Sequence, residues 1–277
     1  MMGKKIWLIT GVSKGLGKAL AEEVISDGDF VIGTFRDQDQ ADNFSTYHSG
    51  KALGLVLHLD DPNHIKRALD VVEDGFGRLD VLVNNAGFGL VGAVEETSVE
   101  EAREIFEINF FGPLKLTQTF LPVFRRQKGG HIIQISSHGG LKAFAGFGIY
   151  NATKFALEGF SEALALEIAT LGIKLTIIEP GPLRTNFAGD SLRQALSTID
   201  DYAETAGKFR DRIKQVDGKQ EGDPVKAARA IVSITLLDLP PLRLPLGKTA
   251  LASIAAKLES VSNDVSNFKS VAEDIVY

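Results

Sequence analysis

The sequence predicts a doubly wound α/β fold, and three observations carry that prediction. Short apolar runs alternate with stretches of helical period from residue 6 to residue 178. The runs are apolar nearly throughout rather than at every second position, as in strands of a parallel sheet covered on both faces. The first run enters a glycine-rich turn that opens a helix, and right-handed crossovers would then wind the chain onto both faces of the sheet.

In order, residues 6–10 read as the first strand and residues 18–25 as the helix behind it. Residues 30–35, 52–59, 79–83, 131–135 and 174–178 are the next five strands, each a compact apolar run. Helical period fills residues 62–76, 99–126 and 149–171 between them. Regularity stops after Pro180-Gly181. Residues 186–223 are polar and charged with small apolar groups, and they read as two mobile helices rather than a strand. Pro224 begins another helix, with Asp223 as its N-cap. Residues 242–246 form a last strand at the sheet edge, because Pro245 cannot donate to a central ladder. Residue 249 onward reads as a helix and polar tail.

A chain of 277 residues holds one large α/β domain more comfortably than two, so residues 1–277 are read as a single domain. Apolar residues make up 44% and charged residues 24%, enough for a sizeable core. The net charge of −6 is spread among interleaved acids and bases and gives nucleic acid no electrostatic footing. No apolar run has the length of a membrane span, and the N-terminus enters a strand without a signal segment, so a soluble cytoplasmic protein is expected. The absence of cysteine excludes disulfides, thiolate catalysis and cysteine metal sites, and the five histidines show no metal-binding spacing.

The turn after the first strand runs Gly11, Val12, Ser13, Lys14, Gly15, Leu16, Gly17. Glycine lets a pyrophosphate approach the backbone, and the helix N-terminus offers free N–H groups and a positive dipole, so this is a dinucleotide loop. An NAD-binding chain usually carries a carboxylate near the end of the second strand. Here the first charge is Arg36, and Lys14 lies in the loop itself. Both could hold a ribose 2′-phosphate, with Ser13 as hydroxyl donor, which favours NADPH/NADP+ over NADH; Asp37 keeps room for NADH. Farther on, Tyr150 and Lys154 share a helix face one turn apart. An ammonium beside a phenol favours the phenolate, so Lys154 is expected to lower the Tyr150 pKa. With Ser137 upstream, the pattern points to hydride transfer to or from a carbonyl carbon.

These motifs, with Asn84-Asn85-Ala86-Gly87, Asn109 and Pro180-Gly181-Pro182-Leu183-Arg184-Thr185, resemble the short-chain dehydrogenase/reductase superfamily in its TGxxxGxG and YxxxK branch. The wording around residues 85–89 and 243–247 is most similar to bacterial ketoreductases akin to 17-beta-hydroxysteroid dehydrogenases. The resemblance implies a Rossmann-type sheet with the cofactor across its carboxyl end. It implies that Tyr150 passes the proton, Ser137 holds the carbonyl oxygen, Lys154 holds the ribose, and Asn109 holds a water that reconnects Lys154 to solvent. It places Gly11, Ser13, Lys14, Gly15, Leu16, Gly17, Arg36, Asn85, Ala86, Gly87, Tyr150, Lys154, Pro180, Gly181, Leu183 and Thr185 on the cofactor. His58-Leu59 stands where the family often has Asp-Val against adenine, and a neutral His can still bond an amino group.

Phe88, Phe144, Phe147 and Phe187 fall on loops at the carboxyl-end face and suggest a pocket for an apolar or aromatic small-molecule carbonyl substrate. Residues 186–222 would be its lid and residues 248–277 a C-terminal helix and tail. A homo-oligomer is expected on general grounds. The leading reading is an NADPH-dependent carbonyl reductase or the reverse alcohol dehydrogenase. The alternatives are a non-catalytic NADP-sensing regulator and an epimerase or dehydratase on the same fold. His138 adjoins Ser137, but no acid orients it and a Ser–His dyad is not expected.

Overall fold

A computed structural model describes residues 4–189 and 191–277. In chain order its elements are β1 (Ile6–Ile9), α1 (Gly15–Ser26), β2 (Phe30–Phe35), α2 (Gln38–Tyr47), β3 (Ala52–Val56), α3 (Pro62–Phe76), β4 (Val81–Asn84), β5 (Gly89–Val91), α4 (Val99–Phe106), α5 (Gly112–Gln127), β6 (Gly130–Ile135), α6 (Gly148–Ile168), β7 (Ile173–Pro180), β8 (Leu192–Gln194), α7 (Lys208–Val216), α8 (Pro224–Ile234), β9 (Arg243–Leu246), α9 (Lys248–Asn267) and α10 (Lys269–Glu273). Seven strands form one parallel sheet in the order β3-β2-β1-β4-β6-β7-β9. The order reverses at β1 and β4, the switch point at whose carboxyl end an α/β sheet binds ligands.

Alternation along each strand builds two cores. Ile6, Leu8, Leu82, Ile132 and Ile177 meet α3, α5 and α6 on one face. Trp7, Ile9, Val83, Ile133 and Ile178 meet α1 and α8 on the other. The wholly apolar runs arise because both faces are covered. Asp37, Asp61, Ser98 and Asp223 cap α2, α3, α4 and α8 through side-chain bonds to first-turn amides. As expected, β9 is an edge strand, with Pro245 opposite Glu179 of β7. Residues 258–277 are exposed, and among the described residues no helix is long and apolar enough to cross a membrane.

The structure corrects the pattern-based reading: the third strand, read as 52–59, ends at Val56, α2 fills a stretch read as having no element, and two larger changes follow. The expected helix at 99–126 is broken by a π-helical turn, Glu107–Phe111. Pro113 follows it and has no amide hydrogen to offer the Asn109 carbonyl one turn back. The segment after Asn186 is not two helices alone. It carries β8, which pairs in parallel with β5, then a 3₁₀ turn at Asp200–Tyr202, a π turn at Ala203–Gly207, and α7. Strands of three residues leave no readable period.

One buried group makes the fold acid-sensitive. His131 Nε2 lies 3.0 Å from Thr176 Oγ1, which itself donates to Pro241 O at 2.8 Å. The hydroxyl has one proton, so Nε2 must be the donor and Nδ1 is bare, without a partner among the described residues. Burial, with smaller effects of Lys174 and Lys5, lowers the His131 pKa from 6.5 to about 3. The unfolded chain therefore takes up the proton first as pH falls. The contribution is complete above about pH 6.5 and is lost progressively toward pH 3, amounting to about 3 kcal/mol at pH 4. Thermal melts between about pH 7 and 4 are expected to show this loss, and His131→Leu to flatten it. Equal slopes for the two proteins would contradict the assignment.

Candidate active site

The glycine loop is held from below by Thr10, which sequence reading does not place in the site, and by Asn85, which it places on the cofactor rather than in this role. Thr10 Oγ1 accepts from the amides of Asn85 and Ala86, each at 2.9 Å. Asn85 Nδ2 donates to Thr10 O at 2.7 Å and Gly11 O at 3.1 Å. The ends of β1 and β4 are thus latched across the switch point. Gly11 has φ +70°, the left-handed region where glycine is at ease. Gly17 matters for a different reason: a Cβ there would lie 2.3 Å from Gly11 O and 2.4 Å from Asn85 Nδ2. Unlike the capped helices above, α1 has no side-chain cap, and its first turn holds no acid. Its amides therefore face the loop as an anion site, and the cradle fits a dinucleotide pyrophosphate.

A cleft of about 1850 Å³ runs from this loop along the carboxyl end of the sheet. At one end it is lined by Gly11, Ser13, Lys14, Gly15, Leu16, Gly17, Arg36, His58 and Leu59. At the other it is lined by Ser137, Tyr150, Lys154, Pro180, Gly181, Leu183 and Thr185, with Asn85, Ala86 and Gly87 between. Asn84, by contrast, turns into the core, where Nδ2 donates to Gln134 Oε1 at 3.0 Å and Thr117 Oγ1 at 3.1 Å. Asp37 Oδ1 accepts from Gln40 N at 3.0 Å and is engaged as the cap of α2. His58 Nε2 lies 3.1 Å from Arg36 O, a contact it makes as donor, which leaves Nδ1 as an acceptor.

Tyr150 and Lys154 lie on α6 at 5% and 6% exposure. Asn151 fixes the turn opposite them: its Nδ2 donates to Gly139 O at 2.8 Å and its Oδ1 accepts from Phe144 N at 3.0 Å. Ser137 Oγ accepts from Gly139 N at 3.0 Å, and the same hydroxyl bonds the Tyr150 phenol. Lys154 Nζ donates to Ile135 O at 2.8 Å and lies 5.9 Å from the Tyr150 ring centroid. Asn109 sits in the π turn, accepts from Phe88 N at 3.0 Å and donates to Phe88 O at 2.9 Å and Thr153 Oγ1 at 3.2 Å. A Cβ on Gly87 would lie 3.0 Å from Asn109 Oδ1 and 3.8 Å from Lys154 Nζ, so both close on that glycine.

The expected lowering of the Tyr150 pKa by Lys154 is not what this arrangement gives. Burial raises the phenol to about 12, and the Ser137 hydroxyl is the group that pulls it down. Lys154 turns its ammonium to the Ile135 carbonyl instead, and burial lowers it to about 8, against the pull of Glu158. Spacing on a helix sets which side chains share a face, not where a flexible lysine head ends. The phenol therefore stays protonated through the neutral range, as a proton donor must.

All four phenylalanines read as pocket candidates line the cleft. Phe147 stacks on Tyr150 at 4.2 Å between centroids, and Phe187 lies 5.9 Å from the same ring. Phe209 and Ile213 of α7 join them; Phe209 is 5.3 Å from Phe147. No local signal marks those two, because α7 is a charged helix whose docking direction is set by tertiary contacts. His138 directs Nδ1 to Ser253 Oγ of α9 at 2.9 Å, away from any dyad with Ser137.

The sheet, the latched glycine loop and the Ser–Tyr–Lys arrangement define a nucleotide-dependent oxidoreductase. The short chain dehydrogenase family model matches residues 5–195, and the chain belongs to that family. It is 37% identical to "Oxidoreductase BOA17" of Botryotinia fuckeliana, over 94% of this chain and 96% of that protein. It is 34% identical to a "3-ketodihydrosphingosine reductase" of Bacteroides thetaiotaomicron, over 89% of each. A solved short-chain dehydrogenase from Streptomyces avermitilis superposes with a TM-score of 0.93 at 40% identity, covering 99% of this chain and 100% of that one. More distant chains of this fold are solved with NAD (20% identity, TM-score 0.82) and with NADP+ (25%, TM-score 0.74). The protein is an oxidoreductase of CH–OH and C=O groups.

Proposed function

We propose that the protein is an NADPH-dependent reductase of apolar ketones or aldehydes, or catalyses the reverse alcohol oxidation. The observation that carries this reading is one cleft joining an uncapped helix terminus to the half-buried Ser137 and the buried Tyr150 under an aromatic wall. NADPH supplies the hydride when bound. Ser137 and Tyr150 hold the carbonyl oxygen, and the phenol passes its proton to that oxygen as negative charge develops there. An aliphatic alcohol is a weaker acid than even a buried phenol, so the transfer runs toward the substrate. Lys154 holds the ribose hydroxyls and replaces the phenolic proton. Asn109 orders Phe88 and the helix behind Lys154, and its carbonyl, which Pro113 cannot reach with an amide, is suited to hold the water that links Lys154 to solvent.

Arg36 supports the phosphate-bearing cofactor. It lines the nucleotide end of the cleft with Ser13 and Lys14, while Asp37, the rival ribose acceptor, is engaged in capping. The aromatic cluster of Phe88, Phe144, Phe147, Phe187 and Phe209 suits a substrate with an apolar or aromatic body. Residues 186–222 are read as the lid that closes over it, within one domain spanning residues 1–277. A cytoplasmic homo-oligomer is the expected setting. NADPH oxidation against a panel of ketones tests the activity, with a nicotinamide turnover expected for bulky apolar members and none for small charged ones. Arg36→Asp is expected to weaken NADPH at least tenfold more than NADH, because it replaces a charge-assisted contact with repulsion. Equal loss of both cofactors would sink the phosphate reading.

A further inference from the structure

Behind Lys154 the site continues into a buried charge cluster that the proposed reaction does not use. Glu158 lies one turn further along α6 at 3% exposure, and Glu179, near the end of β7, is at 0%. Arg243 of β9 joins them. Its Nη1 donates to Glu158 Oε2 and, at 2.9 Å, to Glu179 Oε1; its Nη2 donates to Glu162 Oε2 at 3.1 Å on the solvent side. The hydroxyl of Ser136, at the end of β6, lies beside the same carboxylate. A Cβ on Gly140 would come within 2.5 Å of Ser136 Oγ and 2.9 Å of Glu158 Oε1. Lys154, Glu158, Arg243 and Glu179 thus form one buried ionisable group, with Glu162 at its solvent edge; burial raises the pKa of both Glu158 and Glu179, and Arg243 draws each back toward the carboxylate.

A buried ion cluster is weak evidence for stability, since apolar residues of similar volume would often serve as well. Its position suggests a different use. Arg243 ties the helix that carries Lys154 to the strand end that leads into Pro180-Gly181. Burial drives Lys154 toward the neutral amine, and the Glu158 charge one turn away opposes that drive. We propose that Glu158, held in place by Arg243 and Glu179, is a positioning residue that keeps Lys154 protonated inside the closed site. This inference rests on the reading of Tyr150 and Lys154 as the proton-transfer pair.

The groups facing Glu158 are Lys154 and Glu162 from α6, Glu179 from β7, Arg243 from β9 and the Ser136 hydroxyl from β6. His138, on the turn nearby, points to Ser253 of α9 and has Lys142 as its charged neighbour. Tyr150 closes the other side of Lys154. Of these, Glu158 is the carboxylate that opposes the burial of the Lys154 charge.

The test is the pH dependence of kcat/KM for acetophenone reduction with NADPH, from about pH 6 to 10, which reports the free enzyme. Loss of the Lys154 proton sets the alkaline limb. Glu158→Gln is expected to move that limb down by roughly one pH unit, with KM for NADPH within about twofold of wild type. Glu158→Asp, which keeps the charge, is expected to restore the limb. A folded Glu158→Gln protein that loses thermal stability while its limb stays in place overturns the proposal. If that variant does not fold, Ser136→Ala serves, because it removes the hydroxyl that favours the ionised Glu158 and must shift the limb in the same direction; an unmoved or raised limb overturns the proposal equally. Tyr150→Phe separates the layers. Full turnover in Tyr150→Phe removes the underlying site reading, whereas loss of turnover there with an unmoved Glu158→Gln limb removes this inference alone.

Discussion

Tyr150→Phe is expected to lower turnover by roughly two to four orders of magnitude, the contribution of a well-placed general acid. The substitution deletes one oxygen and leaves the ring, which is stacked on Phe147 at 4.2 Å and buried to 5% exposure. Packing therefore changes little, and a collapse of the fold would not explain the loss. Nucleotide affinity should stay near wild type, because the proposed ribose contact belongs to Lys154. Ser137→Ala is the milder counterpart. It removes the one hydroxyl that both caps the turn through Gly139 N and faces the phenol. Steady-state kinetics beside equilibrium NADPH titration separates the two roles: kcat falls in Tyr150→Phe while Kd does not. A Tyr150→Phe enzyme with full kcat and native melting behaviour would end the assignment.

The second large effect is expected at Gly17. An added methyl would meet the Gly11 carbonyl at 2.3 Å and the Asn85 amide at 2.4 Å. Neither atom can swing aside cheaply. Gly11 is backbone at positive φ, and Asn85 is fixed by its bonds to Thr10 and Gly11. Gly17→Ala must therefore push α1 off the end of the sheet, moving the amides that face the pyrophosphate. Overpacking of this kind costs about 1–3 kcal/mol. If the strain falls on the loop, NADPH binds roughly ten- to hundredfold more weakly. Fluorescence titration of NADPH measures this directly. Gly75, whose Cβ position meets nothing within 4 Å, is the control site where Ala should leave affinity unchanged. Wild-type affinity in Gly17→Ala would mean that the loop does not carry the pyrophosphate.

The parts legible in the sequence are those written in local pattern. Wholly apolar runs announced the parallel strands, and Asp223-Pro224 marked the start of α8 to the residue. Pro245 placed β9 at the edge. The α2 helix gave no such signal, because Gln38–Tyr47 buries Ala41 alone. The short pair β5 and β8 was equally silent, since three residues carry no period and their pairing joins segments about a hundred positions apart. At the site, the glycine loop and the Tyr150–Lys154 spacing were readable because fixed residue types at fixed offsets do the work. Where Lys154 sends its ammonium was not readable, because it depends on the Ile135 carbonyl of another strand. The Thr10–Asn85 latch, the Asn151 brace and the arrival of Phe209 from α7 share that cause: each is a contact between distant segments.

The most direct measurement of the central claim is a crystal structure of the enzyme with NADPH and an unreactive carbonyl analogue. The account predicts the analogue oxygen within about 2.6–3.2 Å of both Tyr150 Oη and Ser137 Oγ, with the nicotinamide carbon facing the carbonyl carbon and Lys154 Nζ on the ribose. A complex in which that oxygen is held by other groups, with Tyr150 still covered by Phe147 and out of its reach, would contradict it.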